Sequence, residues 1–443
     1  MTIAIPAQAD KIIKTLEAAG FEAYAVGGCV RDSLLGRNAH DWDITTSAEP
    51  MQVKSLFSHT FDTGIRHGTV SVLSGGECFE VTTYRIDGEY EDGRHPKEVT
   101  FTRNLEDDLK RRDFTINAMA YNPTTGLVDL YGGREDLKRK VIRCVGDPRE
   151  RFTEDALRIM RAVRFASQLG YSLDPDTRSA MKELAPRLSM ISAERVREEL
   201  MKTITGDHPE LLRDAVQLGI TAVILPELDA CMNVLQNNPH HRYTVGEHIL
   251  HSVQEGINRP DVRLTLLLHD LGKASTRTTD EEGIDHFHHH AEVSEQLGLE
   301  ILHRLRFDND TIDRVRRLIR FHDLRPQADR TAVRKVIHKV GEDIFYDLLE
   351  VMRGDVLAQS SYKQKEKLEL LEEIRTTADG IFAEGECINL KQLALTGRDL
   401  IDEGVSAGPD MGALLNRMLE DVLTAPEHNN REYLLEHYVH NGN

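Results

Sequence analysis

Every stretch of this chain that reads as a β-strand lies before about residue 135, and beyond it helical patterns run nearly to the end. "AYAVGGCVRDSLLG" reads as a strand, a Gly-Gly turn and a helix. The short β-branched stretches "DWDITT", "GTVSVLSG" and "CFEVTTYRI" follow, separated by turn residues. A helix over 10–19 precedes them. Further on, "TEDALRIMRAVRFASQLG" places Leu157, Met160 and Val163 on one helical face, with Thr153 as the expected N-cap. Strands confined to the N-terminal part predict an α/β head followed by an all-α remainder. With 443 residues there is room for two to four domains, and the pattern weakens near 225 and near 370.

Composition excludes several classes. No apolar run approaches a membrane span, and the N-terminal residues lack a cationic segment followed by an apolar one. Cysteines 29, 78, 144, 231 and 387 lie far apart without a CxxC pair, which argues against a disulfide framework and a thiolate zinc site. A soluble cytoplasmic protein is expected. The net charge of −19 opposes general coating of nucleic acid and gives no reason to expect a DNA partner. Between Arg139 and Arg164, however, eight basic residues face four acids. Such a strip suits a limited phosphate contact.

Within the head, "HDWDIT" sets Asp41 and Asp43 on either side of the single tryptophan, Trp42. In a strand, residues i and i+2 share a face, so the two carboxylates would project together while Trp42 turns to the core. Their repulsion would be relieved by a pair of Mg²⁺ ions, which could activate a hydroxyl and neutralise a triphosphate. A surface Asp-x-Asp turn is the alternative. Gly27-Gly28 at a strand-to-helix turn can cradle phosphate on backbone N–H groups, with Arg31 one turn further. Glu80 is either a third carboxylate or an exposed strand residue.

The motifs "GGCVRD", "DWDI", "EVTTYR", "RRDFTINA", "DLYGGREDL" and "EDALRIMRAVRFA" stand in the order found in the tRNA nucleotidyltransferase and bacterial poly(A) polymerase family. The chain resembles the class II CCA-adding members of that family. The resemblance implies a seahorse-like fold. A head with a small mixed sheet (1–140) would be followed by a helical neck (141–225), body (226–370) and tail (371–443). It also implies that Asp41 and Asp43 bind catalytic Mg²⁺ and that Glu80 completes the carboxylates. Gly28, Arg31 and Arg112 would hold the triphosphate, with Asp113 and Asn117 near the sugar.

In the neck, Glu154 and Arg158 are spaced as an i,i+4 ion pair. Asp155 can only accept hydrogen bonds and Arg158 can only donate them. One turn apart, they complement the edges of cytosine and adenine and clash with those of uracil and guanine. In the resembling family this motif selects CTP and ATP, and Arg161 and Arg164 match further nucleotide-site arginines.

Past the neck, "LTLLLHDLGK" supplies His269 and Asp270 within a wider series of His248, His290, His322 and Asp355. Imidazoles mixed with carboxylates suit a transition-metal hydrolase site with one or two ions, such as Ni²⁺, Co²⁺ or Mn²⁺. The series resembles the HD phosphohydrolases. His286, His288 and His289 crowd His290, so that ligand stays ambiguous, and a helical scaffold with packed histidines is the alternative. Residues 397–423 resemble the tail that grips the tRNA elbow, and a plain helical cap is the other reading.

Taken together, the expected activity is untemplated addition of C, C and A to tRNA 3′ ends from CTP and ATP. Its rivals are A-addition alone, poly(A) synthesis, an HD phosphohydrolase with a nucleotide-binding head, and tRNA binding without catalysis. The polar segment between Ile86 and Arg103 has little apolar surface to bury and is expected to be mobile. In the resembling family such a loop goes with A-addition, so deletion of 88–96 is expected to stall the enzyme before A. Oligomeric state is left open.

Overall fold

The alternating segments of the head assemble into one seven-stranded sheet in the order Thr60–Gly64, Thr69–Ser74, Glu77–Thr83, Ile44–Thr46, Ala23–Val26, Met119–Asn122, Gly126–Asp129. Neighbours are antiparallel except Ile44–Thr46 and Glu77–Thr83, which run parallel. The sheet is therefore mixed. Val70, Val72, Val81, Ala25 and Ile44 are buried within it, and the helix Ala7–Ala18 buries Ile12, Ile13 and Leu16 beside it. The computed structural model describes residues 2–39, 41–88 and 99–440; most of the segment expected to be mobile, 89–98, lies outside them.

Two local expectations need correction. "DWDITT" becomes a ladder strand only from Ile44, because Asp43 contributes just its carbonyl, which accepts from the Val26 N–H at 3.0 Å. The alternation still holds: Trp42 is 8% exposed, while Asp41 and Asp43 are open. Thr153 is not an N-cap. A helix already spans Pro148–Glu154, started by Asp147, whose side chain accepts from the Arg149 N–H at 2.8 Å. Asp147 caps as well as threonine, and Pro148 is pre-set for a first helical position, so the helix begins there. It stops at Asp155, whose backbone is extended (φ −137°, ψ 103°), and a second helix runs Leu157–Leu169. Leu157, Met160 and Val163 are buried on it as expected.

The chain divides into two compact units, Met1–Pro226 and Glu227–Asn443. Beyond the head the described residues are helical or loop apart from two pairs of two-residue strands, Val141–Ile142 with Ser172–Leu173 and Thr278–Thr279 with Asp285–His286. In the second unit one apolar cluster includes Leu318, Ile337, Phe345 and Ile374. Another, towards the C-terminus, includes Leu395, Met418 and Leu434. Among the described residues, no helix is long and apolar enough to cross a membrane.

Candidate active site

Register explains why the head carboxylates meet. Ile44 pairs with Val81 in the parallel ladder, so one step back Asp43 comes beside Glu80. The Asp43 carboxyl is pushed above the ordinary carboxylate range. Displaced water is the first cause and the charges of Glu80 and Asp41 follow, while Arg112 opposes them. Because Asp43 itself is exposed, the charge repulsion is the part that a cation would relieve. An all-oxygen donor set of this kind suits a hard divalent ion. The three carboxylates do not converge on one point: among the described residues, the groups of three or more ligand atoms lying within 4.8 Å of one another are all in the second unit.

Opposite the acids stands a wall of arginines. Gly27 turns at φ +80°, and a Cβ there would lie 3.2 Å from Arg112 Nη1, so glycine lets the turn close on that guanidinium. Arg112 donates to Asp108 Oδ2 (3.1 Å), and Arg111 grips the other oxygen of this buried acid. Burial alone would raise the Asp108 carboxyl; Arg111 and Arg112 hold it low. Arg31 donates to Asn117 Oδ1 (2.7 Å) and to both oxygens of Asp32. Asn117 in turn donates to Asp113 Oδ1 at 3.2 Å. Asp113 Oδ2 accepts a bidentate pair from Arg161 (2.8 and 2.6 Å). Burial would raise Asp113, yet Arg161 brings it down to about 2.

Phe165 ties this wall together. The guanidiniums of Arg164, Arg31 and Arg161 lie 3.9, 5.1 and 5.5 Å from its ring centre, and Arg164 Nε also donates to buried Glu199 at 2.6 Å. Gly28, Arg31, Asp41, Asp43, Arg112, Asp113, Asn117, Arg161 and Arg164 all line one cavity of about 490 Å³. Nine of the expected residues thus meet around a space that fits a nucleotide.

Asp155 and Arg158 do not line this cavity. Asp155 sits in the break between two helices, where Oδ1 accepts the Leu157 N–H (3.0 Å) and Oδ2 accepts from Arg195 (2.9 Å). Arg158 donates to Glu154 (2.5 Å), the ion pair read from the sequence, and to the carbonyls of Arg151 and Arg111.

The second unit holds a different constellation. His248, His269, Asp270 and Asp355 form one group of close ligand atoms, and Asp270, His290 and His322 form another. All are buried. The Nδ1 atoms of His269, His290 and His322 each face a carbonyl three residues earlier (Leu266, Phe287 and Ile319; 2.7–2.8 Å), which leaves Nε2 turned inwards. His290 and His322 bring their Nε2 atoms to 3.2 Å from each other, and Asp270 Oδ1 lies 3.5 and 3.6 Å from them. His286, His288 and His289 fall in neither group, so the geometry selects His290 from that run. Burial would lower His269, but Asp270 and Asp355 push it up to about 10. Lys273 lies 2.7 Å from Asp270, and a cavity of about 550 Å³ opens onto the cluster.

Residues 23–143 match the model of the Poly A polymerase head domain, 170–232 the probable RNA and SrmB-binding site of polymerase A, and 276–438 the putative domain 2 of tRNA nucleotidyltransferase. A CCA-adding enzyme of Lactobacillus helveticus is 37% identical over 425 residues, covering 94% of this chain and 93% of that one. The chain belongs to the CCA-adding enzymes. Another family member, from Levilactobacillus brevis, is 36% identical across 96% of each chain. The Bacillus stearothermophilus CCA-adding enzyme, solved with CTP, superposes with a TM-score of 0.72 at 31% identity over 97% and 96% of the two chains. The Thermotoga maritima CCA-adding enzyme (TM-score 0.60, 21% identity, 96% and 93% coverage) shares the fold.

Sequence reasoning missed Phe165, Arg195, Glu199 and Lys273. Arg195 and Glu199 carry no signal of their own, since "ISAERVREEL" shows only charged helical positions until the fold sets that helix against Leu157–Leu169.

Proposed function

We propose that this chain adds C, C and A to the 3′ end of tRNA from CTP and ATP, without a nucleic-acid template. The observation that carries this is the single cavity in which Asp41 and Asp43 face four arginines, in a chain similar along its length to CCA-adding enzymes. In this reading 1–140 is the catalytic head, 141–225 the neck, 226–370 the body and 371–443 the tRNA-binding tail, which meets the elbow while the acceptor stem reaches the head. Asp41 and Asp43 hold Mg²⁺ and Glu80 completes the set. The ions, when bound, neutralise charge developing on the transferred phosphate and lower the proton affinity of the attacking hydroxyl.

The chain's own groups do the rest. Gly28 backbone, Arg31 and Arg112 bind the triphosphate, and Arg161 and Arg164 extend that cradle. Asp113 fixes Arg161, and with Asn117 it faces the sugar. Asp155 and Arg158, which stand outside this cavity, select cytosine and adenine by their acceptor-only and donor-only edges after a rearrangement of the neck that brings them to the base. Arg195 holds Asp155 in place. The protein works in the cytoplasm. Purified protein incubated with tRNA lacking its 3′ end, Mg²⁺ and single NTPs tests the reading by product length on a gel. Two additions with CTP and a third once ATP joins are expected; A-addition only to tRNA ending in CC, or long A tails, would replace it with the rival activities.

A second reading rests on the buried histidines. Two ligand groups sharing Asp270 favour a dinuclear phosphohydrolase site for Ni²⁺, Co²⁺ or Mn²⁺. The test is phosphatase activity with each metal, lost in His269→Ala.

A further inference from the structure

The cavity of about 550 Å³ over the buried histidines is lined by three side chains of fixed positive charge, Lys273, Arg325 and Lys367. Two of them are already paired: Lys273 lies 2.7 Å from Asp270, and Arg325 donates to Asp323. The lining acids outside the ligand groups are paired as well, Asp285 with Arg277, Glu292 with Arg320 and Asp323 with Arg325. Lys367 is the exception. Among the described residues it has no carboxylate partner, and it donates to neutral acceptors, Gln359 Oε1 at 2.5 Å and His240 Nδ1 at 3.0 Å.

This side chain is held in place from the histidine cluster. The buried amide of Gln359 accepts from Lys367 on one side and donates to Asp355 Oδ2 (3.0 Å) on the other. One amide therefore separates the ammonium from a candidate metal ligand. An ammonium can only donate, so His240 accepts at Nδ1 and is neutral there. Lys367 itself lies in the first turn of the helix Gln364–Glu384, where the helix dipole disfavours a cation. Burial and the charge of Arg325 bring its ammonium below the ordinary lysine range, and Asp355 and Asp323 oppose them only in part. An anion entering the cavity would relieve that deficit.

Phosphate chemistry matches it. Lysine binds phosphate as a compact point charge and needs no fork geometry. A phosphomonoester carries close to two negative charges at neutral pH, and a phosphodiester carries one. Neutral donors would serve both about equally, whereas a cation without a partner favours the more highly charged group. The cavity volume is within the range of small-molecule sites.

We propose that Lys367 is the phosphate-binding residue of this cavity and selects phosphomonoesters over phosphodiesters. The assignment rests on the phosphohydrolase reading of the histidine cluster. Gln359 is its positioning residue, bracing Asp355 with one end of its amide and Lys367 with the other.

The full-length protein is loaded with Co²⁺, and inorganic phosphate is titrated into it by calorimetry. Lys367→Met should bind phosphate about tenfold more weakly than wild type, with the same cobalt content. Phosphate held by the head arginines is common to both proteins and cancels in the comparison. Lys367→Arg, which keeps the charge, should stay within about twofold of wild type. Unchanged affinity in Lys367→Met, or loss of cobalt from both variants, overturns the assignment. Steady-state rates then separate the two ester classes. For p-nitrophenyl phosphate, KM in Lys367→Met should rise about tenfold with kcat little changed, while KM for bis(p-nitrophenyl) phosphate stays within about twofold. An equal rise for both esters overturns the selection by charge. Wild type that hydrolyses neither ester overturns the hydrolase reading and the selection with it, whereas phosphate binding that depends on Lys367 still supports the anion site.

Discussion

In the head, Asp41, Asp43 and Glu80 stand apart and open, and Asp43 is held above the ordinary carboxylate range. In the second unit, His248, His269, Asp270 and Asp355 are buried with their ligand atoms within 4.8 Å, and Asp270 and Asp355 are held well below that range. Burial would raise both acids, but neighbouring imidazoles and Lys273 more than offset it. The first site leaves its repulsion to be relieved by whatever binds, which suits a large substrate that must enter and leave. The second has its donors fixed before anything arrives, its imidazoles oriented by backbone carbonyls or by Asp355 and its carboxylates held by Lys273 and Gln359. Preorganisation follows the size and mobility of what is bound.

The sharpest way to break this comparison is at Asp43. Asp43→Ala should lower nucleotide incorporation by about 10³-fold or more, roughly 4 kcal/mol at the transition state, with the fold intact by circular dichroism. Near-normal incorporation would leave the open carboxylates without a catalytic role.

Next comes Asp113, the buried acid that holds Arg161 in the arginine wall. Asp113→Ala leaves a guanidinium unpaired and should destabilise the protein by about 3 kcal/mol at pH 7, measured by denaturant unfolding. Since its folded value is depressed to about 2, this contribution is fully present above the unfolded carboxylate value. The gap between wild type and variant should therefore narrow as pH falls from about 4 towards 2. A gap that stays constant would mean that packing, not charge, sets the loss.

The second site supplies the contrasting arm. Co²⁺, Ni²⁺ or Mn²⁺ at about 100 times its Kd should stabilise wild type by roughly 2.7 kcal/mol in thermal unfolding, and His269→Ala should abolish the gain. Affinity should rise with pH, because the ion displaces the proton that His269 holds up to about 10. Nucleotide addition by His269→Ala should match wild type; a parallel loss would tie the two sites together.

The smallest effect is expected at Arg195. Arg195→Ala frees Asp155 Oδ2 and should weaken discrimination of CTP against UTP by about fivefold, near 1 kcal/mol, while kcat with CTP changes little. Unchanged discrimination would make Arg195 a helix contact only.

The sequence by itself determined the α/β head, the helical remainder and the spacing of the carboxylate and arginine motifs. Those signals are local: alternation with period two set Trp42 inwards and Asp41 and Asp43 outwards, and i,i+4 spacing paired Glu154 with Arg158. Only the tertiary structure decided what distant segments bring to each other. The parallel register puts Glu80 beside Asp43, the neck helix carries Arg161 to Asp113 across 48 positions, and Arg195 reaches Asp155 across 40. It also chose His290 from a run of four histidines, because one of them alone turns its Nε2 towards His322 and Asp270 at a helix start. Such contacts depend on packing and register between elements, and neither leaves a periodic trace in a single chain.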